Sequence, residues 1–318
     1  MIGFIAITLL AALTLPAHAQ SYPGKPIRIV VPFTPGGGSD IVTRVIGPKL
    51  VDAWGQQVVV DNRAGAGGTI GAAIVSGATP DGHTLLITSS AFAGAASLYP
   101  KLPYDTIKDF APIALVASTA LILVVAPSTG PRTVSELVAL ARQKPGQINY
   151  ASAGIGSGTH YAGELFKLAG GIDVVHVPYR GVPEALTDTL TGRTHYYLSP
   201  ILSTLPLLRD GRLLALGVST RERAPLLPEV PTIAEAGLPG YEYDGWFGVL
   251  APAAVPRAVI DKLSRELMRI TTLPDVRDRF EKIGGRARAS TPGELAQLIR
   301  TEIETRRKVF AAAGAKAE

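Results

Sequence analysis

Residues 26–54 read PIRIVVPFTPGGGSDIVTRVIGPKLVDAW. The stretch opens with Ile27, Ile29, Val30, Val31 and Phe33 in one short apolar run, the pattern of a buried strand over residues 26–33. Thr34-Pro35-Gly36-Gly37-Gly38 stops that strand, because proline lacks the amide a sheet needs and glycine favours a turn. Ser39 and Asp40 suit a helix N-cap, and Ile41, Val42, Val45, Ile46, Leu50 and Trp54 follow at helical spacing. The order is strand, glycine loop, helix. It recurs over residues 148–169, INYASAGIGSGTHYAGELFKLA, with a glycine-rich loop at 152–158 and a helix from about Thr159. Each half of the chain holds one such unit.

Outward from these units, short apolar runs predict strands near residues 57–60, 85–88, 174–178, 195–198, 213–219 and 243–251. Residues 110–126 have strand character broken by Pro112 and by Ser118-Thr119. Helical spacing marks residues 134–141 and 183–190, and two amphipathic helices near 257–270 and 292–310 close the chain. Strands alternating with helices predict an α/β fold with mainly parallel sheets. Ligands in such sheets sit at the carboxyl ends of strands, beside helix N-termini. Two lobes, each offering one glycine loop, would face each other across a cleft. The expected division is residues 22–118 with 241–318 in the first lobe and 119–240 in the second. Two chain crossings would then form a hinge.

The 318 residues are 47% hydrophobic, enough for two ordinary cores. Cysteine is absent, which excludes disulfides, thiol catalysis, thiolate metal sites and a lipid anchor on an N-terminal cysteine. At the N-terminus, residues 4–15 form an apolar run of signal-peptide length, followed by Pro16 and Ala17-His18-Ala19. Small residues at the first and third positions of that triplet predict signal-peptide cleavage after Ala19, and hence a periplasmic protein. Met1-Ile2-Gly3 lacks the usual positive charge of a signal. The alternative, a membrane anchor, would have to span the bilayer with a run that is too short. The net charge of +5 is scattered apart from Arg306-Arg307-Lys308, without a basic stripe carrying interleaved aromatics, so nucleic acid is not an expected partner.

The chemistry lies in the loops. A helix N-terminus leaves amide groups unpaired and carries partial positive charge, and glycine lets an anion approach the backbone. Thr34 to Asp40 and Gly154 to His160 therefore read either as tight turns or as two anion cradles, and the matched pair favours cradles. Neither loop is a nucleotide motif. Gly36-Gly37-Gly38 lacks the following Gly-Lys-Ser/Thr, and Gly154-Ile155-Gly156-Ser157-Gly158-Thr159 ends in threonine where the dinucleotide fingerprint needs glycine. Nor is Ser157 a nucleophile elbow, since Ile155 stands where glycine is required. The histidines form no His-x-x-x-His or His-x-His pair, so no metal site, cofactor or catalytic group is expected. His160, in the first turn after the second loop, reads equally as a ligand contact or as an internal hydrogen-bond partner. Ser89-Ser90 follows a strand and can line the same cleft. Arg180, after Tyr179, can pair with a carboxylate bidentately or remain a solvated charge.

Several motifs in order carry a family resemblance: Tyr22-Pro23-Gly24-Lys25-Pro26, Val31-Pro32-Phe33-Thr34-Pro35-Gly36-Gly37 with Asp40, and Asn62-Arg63-Ala64-Gly65-Ala66-Gly67-Gly68. Further along come Tyr104-Asp105 with Asp109-Phe110, Gly158-Thr159-His160, Val177-Pro178-Tyr179-Arg180-Gly181 and Pro228-Glu229-Val230-Pro231-Thr232-Ile233-Ala234-Glu235. From Tyr22 to about Phe310 the chain resembles Bug-type substrate-binding proteins of the tripartite tricarboxylate transporter family. The resemblance implies a periplasmic two-lobed Venus-flytrap fold with a two-crossing hinge. It implies a carboxylate held largely through backbone groups by the loop Phe33, Thr34, Pro35, Gly36, Gly37 and Gly38. It further implies contacts from Ser89, Ser90, Ser157, Gly158, Thr159, His160, Tyr179 and Arg180. Many relatives carry an acidic residue where His195-Tyr196-Tyr197 stands, so a ligand with a free amine is disfavoured. The function implied is a receptor, not an enzyme, that captures a small organic carboxylate for uptake through separate membrane subunits. A sensory subunit presenting its ligand to a membrane kinase would share the fold, and a secreted hydrolase would need a nucleophile and base that the sequence does not show.

Overall fold

The computed structural model describes residues 22–317. The expected signal peptide at residues 1–19 lies outside them. The chain runs β1 (Ile27–Val31), α1 (Gly38–Trp54), β2 (Val58–Asn62), α2 (Thr69–Ser76), β3 (Thr84–Ser89), α3 (Ala91–Leu98) and β4 (Phe110–Val125). It continues α4 (Val134–Gln143), β5 (Asn149–Ser152), α5 (Gly158–Gly170), β6 (Val175–Pro178), α6 (Val182–Leu190), β7 (Tyr196–Pro200), α7 (Ile201–Arg209) and β8 (Leu214–Val218). It ends with β9 (Asp244–Pro252), α8 (Arg257–Thr272), α9 (Pro274–Lys282), β10 (Gly285–Ala287) and α10 (Pro292–Ala313).

The fold is α/β and two-lobed, organised on one long strand. The first part of β4 pairs with β9, from Phe110 opposite Pro252 to Ala120 opposite Asp244. From Leu121 onward β4 pairs instead with β7 and β8. One lobe therefore carries the order β2-β1-β3-β9-β4 and the other β4-β7-β5-β6. The return crossing lies beside the outward one. The Tyr243 amide bonds the Ser219 carbonyl of the second lobe, while Asp244 already pairs with Ala120. The lobes are thus joined by two adjacent extended crossings.

Each lobe has its own core. Ile29, Ile46, Leu85, Val249 and Leu263 are buried together in the first, and Leu123, Val138, Tyr150, Phe166 and Leu198 in the second. The last helix touches both. Leu295 and Ile299 near its start join a first-lobe cluster, and Phe310 near its end joins the second-lobe core.

Three expectations are corrected. The sheets are mixed rather than mainly parallel. β1 pairs in parallel with β2 and β3, and β5 with β6 and β7, but β4 is antiparallel to β7, β8, β9 and β10, and β3 is antiparallel to β9. The crossing strands β4 and β9 run in opposite directions, so inserting them at the centre makes these pairings antiparallel. Residues 110–125 form one strand, not a broken one. Register shifts between Pro112 and Ala114 and between Leu115 and Ala117 interrupt the regular ladder around Pro112, whose ring nitrogen cannot donate, while Ser118 and Thr119 stay paired with Trp246 and Gly245. Lastly, α1 begins one residue earlier than Ser39 and its N-cap is Gly37, without a side-chain cap.

Candidate functional site

The two lobes meet around the two glycine loops. A Cβ on Gly67 would overlap the Ile155 carbonyl oxygen, one on Gly94 the Gly156 oxygen, and one on Gly181 the Thr34 hydroxyl. The lobes are thus in direct contact, and a cavity of about 60 Å³ lies between them. It is lined from the first lobe by Phe33, Gly37, Gly38, Ser39, Ser89 and Ser90, and from the second by Ala153, Ser157, Gly158, Thr159, Val182 and Pro200. The crossing strands complete it with Thr119, Leu121, Tyr243, Gly245, Trp246 and Phe247.

The first loop is pinned by Asp40. Its Oδ2 accepts hydrogen bonds from the Gly36 amide at 3.0 Å and from Arg44 Nε at 2.9 Å, and its Oδ1 accepts one from Asn62 Nδ2 at 3.1 Å. Asn62 Nδ2 also donates to the Phe33 carbonyl at 3.1 Å, so one amide holds both limbs of the loop. Burial works against the Asp40 charge, but the bonds from Arg44, Gly36 and Asn62 outweigh it and hold the carboxyl below its ordinary range. The Gly37 amide bonds the Thr34 carbonyl at 3.2 Å. The following amides of Gly38, Ser39 and Asp40 open the helix, where intrahelical partners do not exist, and no side chain caps them. Close approach there depends on glycine: a Cβ on Gly38 would sit 2.7 Å from Phe247 Cζ.

The second loop is braced internally. Ser157 Oγ caps α5 by accepting from the His160 amide at 3.1 Å and lies 3.0 Å from Thr159 Oγ1. Thr159 Oγ1 accepts from the Ala153 amide at 2.8 Å. His160 is buried behind the loop, not in the cavity. Its Nδ1 accepts from the Gly156 amide at 3.1 Å, and its ring stacks on His176 at 3.9 Å and on Phe310 at 5.1 Å. Burial holds His160 down to about 2 and His176 down to about 4, so both rings are neutral at pH 7.

None of the lining side chains is charged. The polar groups of the lining residues are backbone amides at two helix starts, the Trp246 indole N–H and the hydroxyls of Ser39, Ser89, Ser90, Thr119, Ser157, Thr159 and Tyr243. Phe33, Leu121, Val182, Trp246 and Phe247 form the apolar part of the wall. Such a site suits a small molecule with an acceptor-rich anionic end and an apolar body. Among the described residues no cluster of three His, Cys, Asp or Glu could hold a metal.

Residues 42–314 match the family described as the tripartite tricarboxylate transporter family receptor, TctC. The chain belongs to the TctC receptors. BugT of Bordetella pertussis is 35% identical, with 99% of this chain and 97% of BugT aligned. An R. palustris protein solved with adipate superposes with a TM-score of 0.89 at 34% identity, covering 92% of this chain and 98% of its own. MatC from Rhodopseudomonas palustris with bound malate gives 0.86 at 34%, covering 91% and 99%. The chain is therefore a Bug-type solute-binding protein by family and by fold.

Within this TctC receptor, Phe33, Gly37, Gly38, Ser89, Ser90, Ser157, Gly158 and Thr159 come together around the cavity. Thr34, Pro35 and Gly36 lie at the rim of the lobe interface instead. Thr34 Oγ1 donates to Glu184 Oε2 at 3.1 Å, and Ser203 Oγ donates to the Gly36 carbonyl at 3.1 Å. Tyr179 turns to Asp188, donating to Oδ2 at 2.8 Å, and Arg180 is exposed; neither lines the cavity. The wall made by Tyr243, Gly245, Trp246 and Phe247 escaped sequence reasoning. Its only local signal is the aromatic and glycine cluster Tyr243-Asp244-Gly245-Trp246-Phe247 in a predicted strand.

Proposed function

We propose that this TctC receptor is an extracytoplasmic protein that captures a small organic carboxylate in the interlobe cavity and delivers it to membrane subunits of a tripartite transporter. The observation that carries the reading is an interlobe cavity without a charged side chain in its lining, placed where the N-termini of α1 and α5 converge. An anion there would meet open amides and a favourable helix field. Malate and adipate, bound by the two Rhodopseudomonas relatives, are the first ligands to try. The cavity offers no carboxylate side chain for an ammonium group, so an amino acid fits less well. Residues 22–118 and 241–318 are assigned to one moving lobe and 119–240 to the other, with the last turns of α10 riding on the second. The segment 1–19 is assigned as the export signal.

A thermal-shift and calorimetric screen of the mature chain against mono- and dicarboxylates tests the reading. A ligand that binds only the folded form raises the melting temperature, by about 2.7 kcal/mol of added stability at a hundredfold excess over Kd. Binding of amines or sugars in preference to carboxylates would overturn it. Loss of labelled-carboxylate uptake on deleting the gene tests the transport half separately.

A further inference from the structure

Behind the cavity wall stands a buried cation that the binding site does not touch. Arg306, on α10, is 2% exposed. Its guanidinium lies 4.1 Å over the Tyr161 ring and 5.6 Å from the centre of the Tyr243 ring. Nε donates to Glu302 Oε2 at 3.0 Å, and Nη1 has no hydrogen-bond partner among the described residues. A guanidinium buried with one nitrogen unsatisfied is costly, so its position calls for an explanation. The element that carries it spans the lobes, and the two rings it faces come from α5 and from the return crossing.

Tyr243 leads from that cation to the cavity. Its hydroxyl lies 2.5 Å from Ser90 Oγ, and both residues line the cavity. The pair closes against the start of α5, where a Cβ on Gly158 would come within 2.6 Å of Ser90 Oγ. Two adjacent hydroxyls can bond in either direction. Arginine is donor-only and permanently charged, so its field turns the Tyr243 oxygen toward the guanidinium and the phenolic proton away from it. Tyr243 then donates to Ser90, and the Ser90 proton is left to point into the cavity. Burial pushes the Tyr243 phenol up while Arg306 opposes it, and the group keeps its proton at pH 7.

We propose that Arg306 is a positioning residue for ligand binding: it polarises the Tyr243–Ser90 hydroxyl pair so that Ser90 donates to an anion in the cavity. This deepens the carboxylate reading and rests on it.

The test uses the mature chain with malate and adipate as probes. Arg306→Met keeps a stem of similar bulk and removes the charge; it is expected to weaken binding about tenfold, within the range of a desolvated cation–aromatic contact. Arg306→Lys, which keeps the cation, should restore most of that loss, a rescue that a purely packing role does not predict. Tyr243→Phe should weaken binding comparably, and Arg306→Met should add nothing in that background. Unchanged affinity in folded Arg306→Met, or a full further loss on top of Tyr243→Phe, overturns the proposal. A ligand-free measurement stands beside it. The tyrosine Fermi doublet in the Raman difference between wild type and Tyr243→Phe reports whether this phenol donates or accepts. A donor signature in wild type supports the proposal, and an acceptor signature overturns it even if Arg306→Met fails to fold. If wild type binds neither diacid, the variants are compared on the carboxylate that the wider screen returns; if it binds no carboxylate at all, the carboxylate reading fails, and the Raman result alone decides the hydroxyl orientation.

Discussion

Gly67, with φ of 62°, packs its α-carbon against the Ile155 carbonyl so closely that no side chain fits between them. The two residues belong to loops of opposite lobes, and Gly94 meets Gly156 in the same way. At these two points the lobes meet backbone to backbone, with glycine on the first-lobe side, whereas at the rim it is Gly181 of the second lobe that makes room, for the Thr34 hydroxyl. A methyl group at Gly67 or Gly94 must hold the lobes apart.

Gly67→Ala should therefore leave each lobe folded but reduce the closed population. If that population falls to about a tenth, affinity for a carboxylate ligand falls about tenfold. The same substitution also strains a left-handed backbone, so Gly94→Ala, whose backbone is helical, is the cleaner variant. Small-angle scattering with saturating ligand should show a more open molecule. Wild-type affinity and a wild-type scattering curve in Gly94→Ala would show that the contact does not govern closure.

The stacked pair His160 and His176 sets an acid limit on stability. Both are buried and neutral in the folded chain, held to about 2 and about 4, against roughly 6.5 when unfolded. The unfolded state therefore takes up protons first as pH falls. The stability these rings contribute is fully present above about pH 6.5 and is lost progressively below it. Between about pH 6 and 4.5 each ring contributes a slope of about 1.4 kcal/mol per pH unit. Urea melts across that range should show the decline. His176→Gln, which can still reach the Ser152 hydroxyl now 2.6 Å from Nε2, should make the slope shallower by about 1.4 kcal/mol per pH unit. An unchanged slope would mean that His176 is already protonated in the folded chain.

Asp40 governs the first loop and a lower pH window. Its carboxyl is held below the ordinary range in the fold, so its contribution is present above about pH 4, its unfolded value, and disappears as pH falls through the depressed folded value. Asp40→Ala frees the Gly36 amide, Arg44 and Asn62 at once. The expected loss is about 1–3 kcal/mol at pH 7, read from urea melts. Ligand affinity should fall as well, because the Gly36–Gly38 backbone loses its anchor. Asp40→Asn, which can still accept from the Gly36 amide, should be milder on both counts.

Much of this site was legible in residues 26–54 and 148–169, because strand–glycine loop–helix is a local pattern and the ends of those strands form the cavity. Gly37, Gly38, Ser157, Gly158 and Thr159 needed no knowledge of distant pairing. Tyr243, Gly245, Trp246 and Phe247 did. They reach the cavity only because β9 inserts between β3 and β4, a tertiary choice with no local signature. His160 was ambiguous for a similar reason: what draws its ring behind the loop is a stack on His176 and Phe310, one of them from the last helix. Thr34 sits in the right loop, but its hydroxyl is spent on Glu184 across the rim. No periodicity in the sequence reports that bond.

Gly38 offers the sharpest test of where an anion sits. Gly37 and Gly38 both line the cavity, but they differ in what a side chain would meet. At Gly37 the nearest atom to an added Cβ is the Thr34 carbonyl oxygen at 3.3 Å, and its φ of −75° is open to any residue. At Gly38 the added atom would strike the Phe247 ring at 2.7 Å, so the ring must move. Gly37→Ala should therefore fold normally, and if a carboxylate rests over the first turn of α1 the new methyl group crowds it, weakening binding by about tenfold or more. Gly38→Ala should weaken binding and also lower stability by about 1–3 kcal/mol through overpacking. Pairing it with Phe247→Leu, which makes room, should recover stability without recovering affinity, because the methyl group still stands over the open amides. Calorimetry on the three variants separates the outcomes. If Gly37→Ala and the paired variant both bind a carboxylate as tightly as wild type, the anion lies away from α1.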